Sequence, residues 1–303
     1  MAISFVDDGA ELRRALLDEF RSAAADVRHA AADTDESLSG AVHDYRKGLR
    51  RARALFRLVD GELPKRDRRE IDRALTEARR ALGATRDHAV ANDVLGEIAG
   101  DEERDIAKAV LDRAAETAQS SAEIKQLLAE GATRTAAQVE LLEAVLPALV
   151  DWNVVVEGVR STYGRARRAR KAAKRSRHAF HAWRRRSKEL AIQLDALARI
   201  AVPEIAELRN RIVASTDELG AAVDLLMARD FVRAHDNGKA GDLLARMLTR
   251  ELDEKIREGR RSGREAFRKK PGALARKLTK VAKRDVMPVA PPPSIGDEEF
   301  AVT

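Results

Sequence analysis

Two short segments of the sequence place one histidine and three cationic side chains at the same spacing. The first is His43-Asp44-Tyr45-Arg46-Lys47-Gly48-Leu49-Arg50, and the second is His181-Ala182-Trp183-Arg184-Arg185-Arg186-Ser187-Lys188, which begins 138 positions later. Residues three, four and seven positions apart share one face of an α-helix. Cations held this close repel one another, so a chain that repeats the arrangement is predicted to hold a polyanion there.

On a helical projection, the cations of each segment lie away from an apolar stripe. The stripe of the first helix comprises Val42, Tyr45, Leu49, Ala52, Phe56 and Val59, and that of the second comprises Phe180, Trp183, Leu190, Leu194 and Leu197. We expect each helix to pack by its apolar face and to present its cations on the other. The candidate binding residues are His43, Arg46, Lys47, Arg50, Arg53 and Arg57 in the first helix, and Lys174, Arg177, His181, Arg184, Arg185 and Lys188 in the second.

The elements that position these segments are predicted to be helices, because the composition is that of an all-α protein. Of the 303 residues, 35% are charged, 44% hydrophobic and only 4% aromatic, and the dominant residues are strong helix formers. Periodicity predicts helices that begin near Gly9, Glu36, Lys65, Arg86, Glu102, Thr133, Val154, Ser176, Pro203, Ala221, Lys239 and Pro271. The proline-rich end, 286–303, is predicted to be a disordered tail.

Charge is unevenly distributed along the chain, whose net charge is +7. From Arg160 to Lys188 there is no Asp or Glu, whereas Asp87 to Glu143 has an acidic excess. Such segregation predicts an electrostatic face. The sequence has no cysteine, no stretch resembling a signal peptide and no apolar run near membrane-spanning length. We therefore expect a soluble cytoplasmic protein without a membrane partner.

A second pair of motifs follows the histidine segments in the same order. Leu82-Gly83 and Asp87 recur as Leu219-Gly220 and Asp224, each 137 positions later. Three matches at nearly constant offset predict an internal duplication into two helical halves, 1–150 and 151–285, each with a basic histidine helix and a Leu-Gly turn. The period is too long for a solenoid of helix pairs.

Four other interpretations compete with polyanion binding. A charged stripe is commonly just a solvated helix face, although such faces usually mix signs at i,i+4 spacing. His178 and His181 could share a metal, although the surrounding cations oppose this. A phosphate-ester or polyphosphate enzyme would need a Walker motif, an HExxH motif or a carboxylate cluster, and none is evident. A nucleic-acid-binding protein usually exposes aromatic side chains, whereas Tyr45, Phe56, Phe180 and Trp183 fall on the apolar stripes.

The ordered motifs resemble those of the CHAD family, the conserved histidine α-helical domains. The first half carries the resemblance through Val42-His43, Arg46-Lys47, Arg50, Arg53, Leu82-Gly83 and Arg86-Asp87, and the second through Tyr163, Arg165, Arg167-Arg168, His181, Arg184-Arg185, Lys188, Leu219-Gly220 and Asp224. The resemblance covers about residues 5–270. It adds Arg86, Arg165 and Arg168 to the candidate binding residues. Val223 stands where the second half would repeat Arg86, which shifts the expected second site toward Arg165–Arg177.

The resemblance implies both an architecture and a function. It implies two antiparallel helical bundles related by a pseudo-twofold axis, with the histidine helices lining a basic central groove or pore. It also implies non-catalytic binding of inorganic polyphosphate, association with polyphosphate granules, and polyphosphate-metabolising enzymes as partners, with no cofactor or metal. Weak nonspecific binding to nucleic acid is expected of any such basic surface.

One further segment looks like a strand motif of triphosphate hydrolases, namely Glu251-Leu252-Asp253-Glu254-Lys255. It falls in a helical pattern, in which alternate residues do not share a face, and we interpret the match as chance.

Overall fold

A computed structural model describes residues 8–34, 37–116, 118–174, 176, 178–200 and 203–282, and within these residues the protein is entirely helical. The prediction of an all-α protein is confirmed; the predicted tail, 286–303, lies outside the described residues. The eleven helices of the described residues are α1 (Gly9–Ala32), α2 (Leu38–Val59), α3 (Lys65–Ala81), α4 (Gly83–Ile98), α5 (Asp101–Ala115), α6 (Ser121–Val145), α7 (Trp152–Ala172), α8 (His178–Ile200), α9 (Pro203–His235), α10 (Lys239–Ala266) and α11 (Pro271–Ala282).

Side-chain caps define several helix starts. The Asp8 carboxylate accepts hydrogen bonds from the backbone N–H groups of Ala10 and Glu11 at the start of α1. Ser120 and Glu123 form a reciprocal capping box at the start of α6. Each cap satisfies backbone donors that have no partner within the helix, and such caps typically contribute about 1 kcal/mol. The polar residues that precede the apolar periodicity therefore determine where these helices begin.

The two basic histidine helices, α2 and α8, pack against each other inside the fold. All residues of both predicted apolar stripes are buried, and Phe56, Phe180, Trp183, Leu190, Leu194 and Leu197 are 0% exposed. That prediction is confirmed. The Gln193 side chain of α8 also donates a hydrogen bond of 2.9 Å to the carbonyl of Ala54 on α2. Other helices surround this pair: α1, α3, α4, α6 and α7 touch α2, and α7 and α9 touch α8.

Two predicted helix breaks are wrong. Gly131 lies inside α6 and Gly220 inside α9, so no helix begins at Thr133 or Ala221. Gly131 serves close packing, because a Cβ there would collide with the Tyr45 hydroxyl, whereas a Cβ on Gly220 would make only an ordinary contact of 3.4 Å with an Arg184 nitrogen. The second half therefore has no Leu-Gly turn, in contrast to Leu82-Gly83, which does separate α3 from α4. A glycine costs about 1 kcal/mol in a helix, which tertiary contacts readily offset.

The helices α2 and α7 cross with almost no space between their backbones. A Cβ on Gly158 of α7 would meet the backbone carbonyl oxygen, Cα and carbonyl carbon of Leu58 on α2. Glycine at this position therefore allows the two helices to approach closely.

Among the described residues, none of the helices combines the length and apolarity needed to cross a membrane.

Candidate functional site

A cavity of about 1280 Å³ opens beside the N-terminal half of α2 and the C-terminal half of α8, with α1, α4 and α9 as further walls. We call it the α2–α8 cavity. Its cationic lining residues are Arg46, Lys47, Arg50, Arg51, Arg86, Arg184 and Lys188, together with His29 and His43. The two basic histidine helices thus contribute cations to one shared space, although they are far apart in the sequence.

The lining of the cavity also contains carboxylates that the helix projections did not include. They are Asp26, Asp33, Asp44, Asp93, Asp195, Asp217 and Asp224. Most of these aspartates are exposed, whereas the seven cations are buried or half-buried. The charges are therefore layered, with cations at the floor and carboxylates mainly at the rim. Asp44 and Asp195 lie on α2 and α8 themselves, and the fold brings the other five from α1 and its C-terminal end, α4 and α9, so the cations do not face an acid-free space.

The cations at the floor carry a strong electrostatic penalty. Burial, and then the guanidiniums of Arg184 and Arg86, lower the pKa of Arg50 to about 9. Burial also lowers the pKa of Lys188 to about 6, and the neighbouring Arg184 and Arg50 act in the same direction, against Asp224 and Asp217. Desolvation disfavours the charged form of each group. A negatively charged ligand in the cavity would favour the charged form of both groups.

Arg46 has a structural role that its position in the motif does not reveal. It is only 8% exposed, and its guanidinium donates hydrogen bonds of 3.0 Å and 2.9 Å to the carbonyls of Arg79 and Leu82. These carbonyls belong to the C-terminal end of α3, which has no helical partner for them. Arg46 therefore fixes the turn between α3 and α4 at the cavity wall.

The C-terminal half of the α2 stripe is paired with acids from neighbouring segments. Arg53 and Arg57 contact the Asp72 carboxylate at 3.1 Å and 2.6 Å. Arg165 on α7 contacts Glu189 on α8 at 3.3 Å. Their positive charge is largely neutralised within the protein. The stripe therefore has two parts, one that lines the cavity and one beyond it in which Arg53 and Arg57 form ion pairs with Asp72.

Seven of the fifteen predicted site residues line the cavity: His43, Arg46, Lys47, Arg50, Arg86, Arg184 and Lys188. Another seven do not, namely Arg53, Arg57, Arg165, Arg168, Lys174, His181 and Arg185. Arg177 lies outside the described residues. Arg168, Lys174 and Arg185 are exposed to solvent.

Sequence reasoning missed Arg79 on α3. Burial and the nearby Arg53 and Arg185 lower its pKa, and Arg86 on the cavity side has the same effect. Arg79 therefore lies near cations of both groups: Arg86, which lines the cavity, and Arg53 and Arg185, which do not. Its signal in the sequence was the Arg79-Arg80 pair just before Leu82-Gly83.

The described fold is thus an all-helical domain in which helices far apart in the sequence contribute cations to one cavity. The family model of the CHAD domain matches residues 11–233, so the chain belongs to the CHAD family. No curated protein matches the chain. Among the described residues, no group of three His, Cys, Asp or Glu side chains is placed to hold a metal ion.

The low pKa of Lys188 predicts how the stability of the ligand-free protein changes with pH. Its folded pKa of about 6 lies well below the ordinary lysine value of about 10.4. Between these values the unfolded chain binds more protons, so this lysine makes the free energy of unfolding rise with pH. Urea unfolding at pH 6.5 and 9 should show the rise. It should be smaller in Lys188→Met and unchanged in Lys108→Met, which alters an exposed lysine of α5. An equal rise in all three proteins would contradict the prediction.

Proposed function

We propose that the protein binds inorganic polyphosphate in the α2–α8 cavity and does not catalyse its conversion. The observation that carries the proposal is the floor of the cavity, where Arg50, Arg184 and Lys188 face one another in a desolvated setting. Holding like charges together is unfavourable without an anion. Planar guanidiniums and an ammonium are the groups that proteins use to bind phosphate oxygens.

Nucleic acid is the main alternative ligand, and the aromatic residues argue against it. Every Phe, Tyr and Trp side chain among the described residues is buried. Proteins that bind single strands without sequence preference usually stack bases on exposed aromatic rings. A ligand without bases fits a surface of cations alone, and polyphosphate is such a ligand.

The proposal includes the finer architecture that the family resemblance implies. We propose that the chain arose by duplication, that its halves form two antiparallel bundles, and that the cavity is part of a basic groove between them. The packing of α2 against α8 supports this, as does the placement of the boundary near residue 150 between α6 and α7. Leu219 and Gly220 lie inside α9, so under this proposal the two halves would have diverged at that position. Through its ligand, the protein would associate with polyphosphate granules and the enzymes that act on them.

Binding to polyphosphates of defined length should depend on both salt and length. Each chain displaces counterions when it binds, so the affinity measured by calorimetry should fall steeply as salt rises. Affinity should also rise with chain length until the cavity is filled.

Two controls separate the alternatives. At matched phosphate concentration and physiological salt, polyphosphate should displace labelled DNA, and DNA should not displace polyphosphate. Prolonged incubation with polyphosphate should release no orthophosphate. Affinity that ignores both salt and length would contradict the cavity as a polyanion site, and phosphate release would contradict a non-catalytic role.

A further inference from the structure

A second concentration of cations lies where α7 meets the end of α10 and the connection to α11. We call it the C-terminal basic face and define it by Arg167, Arg168, Arg170, Arg264, Arg268 and Lys269. None of these residues lines the α2–α8 cavity. On α7, Arg167 and Arg170 project roughly 200° and 140° away from Arg165, at about 100° per residue. Because Arg165 contacts Glu189 on α8, the two other arginines point away from the basic histidine helices.

Main-chain contacts hold the two basic segments of this face together. The Arg167 Nε donates a 3.3 Å hydrogen bond to the carbonyl of Phe267, and the Tyr163 hydroxyl donates one of 3.0 Å to the carbonyl of Lys269. An atom of Arg168 and one of Pro271 lie 3.5 Å and 3.7 Å from the position that a Cβ on Gly164 would take. The cations are therefore neighbours in space although about 100 residues separate them along the chain.

Acids are scarce at this face. Residues 160–188 contain no Asp or Glu, and residues 259–282 contain only Glu265. In the part of the chain that the structure describes, none of the six side chains forms an ion pair. Burial and the neighbouring Arg167 and Arg264 lower the pKa of Arg170, whose Nε is buried without a hydrogen-bond partner. The α2–α8 cavity, by contrast, includes seven aspartates in its lining.

We propose that the C-terminal basic face is a second binding site for inorganic polyphosphate, independent of the cavity. The choice of ligand rests on the proposed function, whereas the existence of an anion site rests on the unpaired cations. Guanidinium groups bind phosphate oxygens in a bidentate manner. The described residues offer this face no exposed aromatic ring for bases, and Leu149 is their one exposed large hydrophobic residue, so an apolar anchor for a membrane is absent there.

The two sites face different directions, and this has a consequence for long polymers. One protein molecule can hold two segments of a chain or join two chains. A cavity alone would bind one segment and leave the protein monovalent. Joining chains raises the local concentration of both partners, because the second contact becomes intramolecular.

The test is the number of short polyphosphate chains that each protein molecule binds, measured by calorimetry. We expect two in the wild type and one in the face variant Arg264→Ser, Arg268→Ser, Lys269→Ser. We also expect one in the cavity variant Arg50→Met, Lys188→Met. The three face residues are exposed and their side chains make no ion pair, so the fold should be retained, which circular dichroism checks. The control Arg246→Ser, Arg250→Ser removes exposed cations of α10 outside both sites and should leave two.

The outcomes separate the two proposals. If the wild type binds only one chain, or if the face variant still binds two with wild-type affinity, the C-terminal basic face is not a second site and the cavity proposal stands. If the cavity variant binds as the wild type does, the cavity proposal fails instead. If oligothymidylate with the same number of phosphates binds the cavity variant as tightly as polyphosphate does, the face is a nonspecific anion surface and the assigned ligand is wrong. With long polyphosphate, light scattering should report joined complexes that the face variant loses.

Discussion

Replacing Arg50 and Lys188 together by methionine should weaken polyphosphate binding in the α2–α8 cavity at least about a hundredfold, when both proteins also carry Arg264→Ser, Arg268→Ser and Lys269→Ser so that the C-terminal basic face does not contribute. Each residue would supply charge-assisted hydrogen bonds worth about 1.5–3 kcal/mol, and a tenfold change in affinity corresponds to about 1.4 kcal/mol. The free protein should lose little stability, because both cations pay for desolvation and Lys188, with a pKa of about 6, is mostly neutral near pH 7. Calorimetry and thermal unfolding on the same samples measure the two quantities.

Matched variants show whether position or net charge is responsible. Arg246→Met with Arg250→Met removes the same charge from an exposed part of α10 and should change the affinity little. Arg53→Met with Arg57→Met removes cations that already form ion pairs with Asp72 and Asp60, so it should lower stability more than affinity. If the Arg50 and Lys188 double variant binds polyphosphate with an affinity within threefold of its parent protein, the cavity is an ordinary solvated surface and not a binding site.

The second large effect concerns stability, at Gly158. Alanine there should lower the free energy of unfolding by roughly 3 kcal/mol, because its Cβ would meet the backbone of Leu58. A backbone cannot move aside as a flexible side chain can, so α2 and α7 would have to separate along their contact. Urea unfolding measures the loss.

Gly96→Ala in α4 is the matched control for this substitution. No atom lies within 4 Å of the position that its Cβ would take, and the residue is exposed. Alanine should therefore stabilise the helix by about 0.5–1 kcal/mol through its better helix propensity. If both glycine substitutions had the same effect, the close crossing of α2 and α7 would not contribute to stability.

Much of the fold could be predicted because it depends on local periodicity. The stripes that include Tyr45 and Trp183 are buried as expected, since apolar residues at helical spacing require a partner surface. The errors at Gly131 and Gly220 have one cause. Because glycine disfavours a helix, helix starts were predicted just after both glycines, but each lies inside a continuous helix, and at Gly131 the missing Cβ makes room for the Tyr45 side chain of α2. Such a role depends on tertiary contacts that a single sequence does not display.

In the candidate site, too, the features that depend on one helix could be predicted from the sequence, and those that depend on contacts between helices could not. The cations of α2 and α8 could be identified because they share a helix face, and Arg50 and Lys188 do meet in one cavity. The acids that modify them come from other helices, such as Asp72 for Arg57 and Asp224 for Arg184, and their approach depends on the fold. The motif likewise could not predict that Arg46 donates hydrogen bonds to two backbone carbonyls, because these carbonyls belong to another helix end.

The long antiparallel pair formed by α9 and α10 has a consequence for where this domain ends. The family match stops at residue 233, close to the end of α9, yet α10 packs along α9 and completes the interior. Gly259 and Gly263 of α10 lie so close to Leu219 and Trp183 that a Cβ on either would collide with them. Without α10, those large apolar side chains would lie in water. We therefore expect the smallest part of this chain that folds on its own to be longer than residues 11–233, which the family model matches.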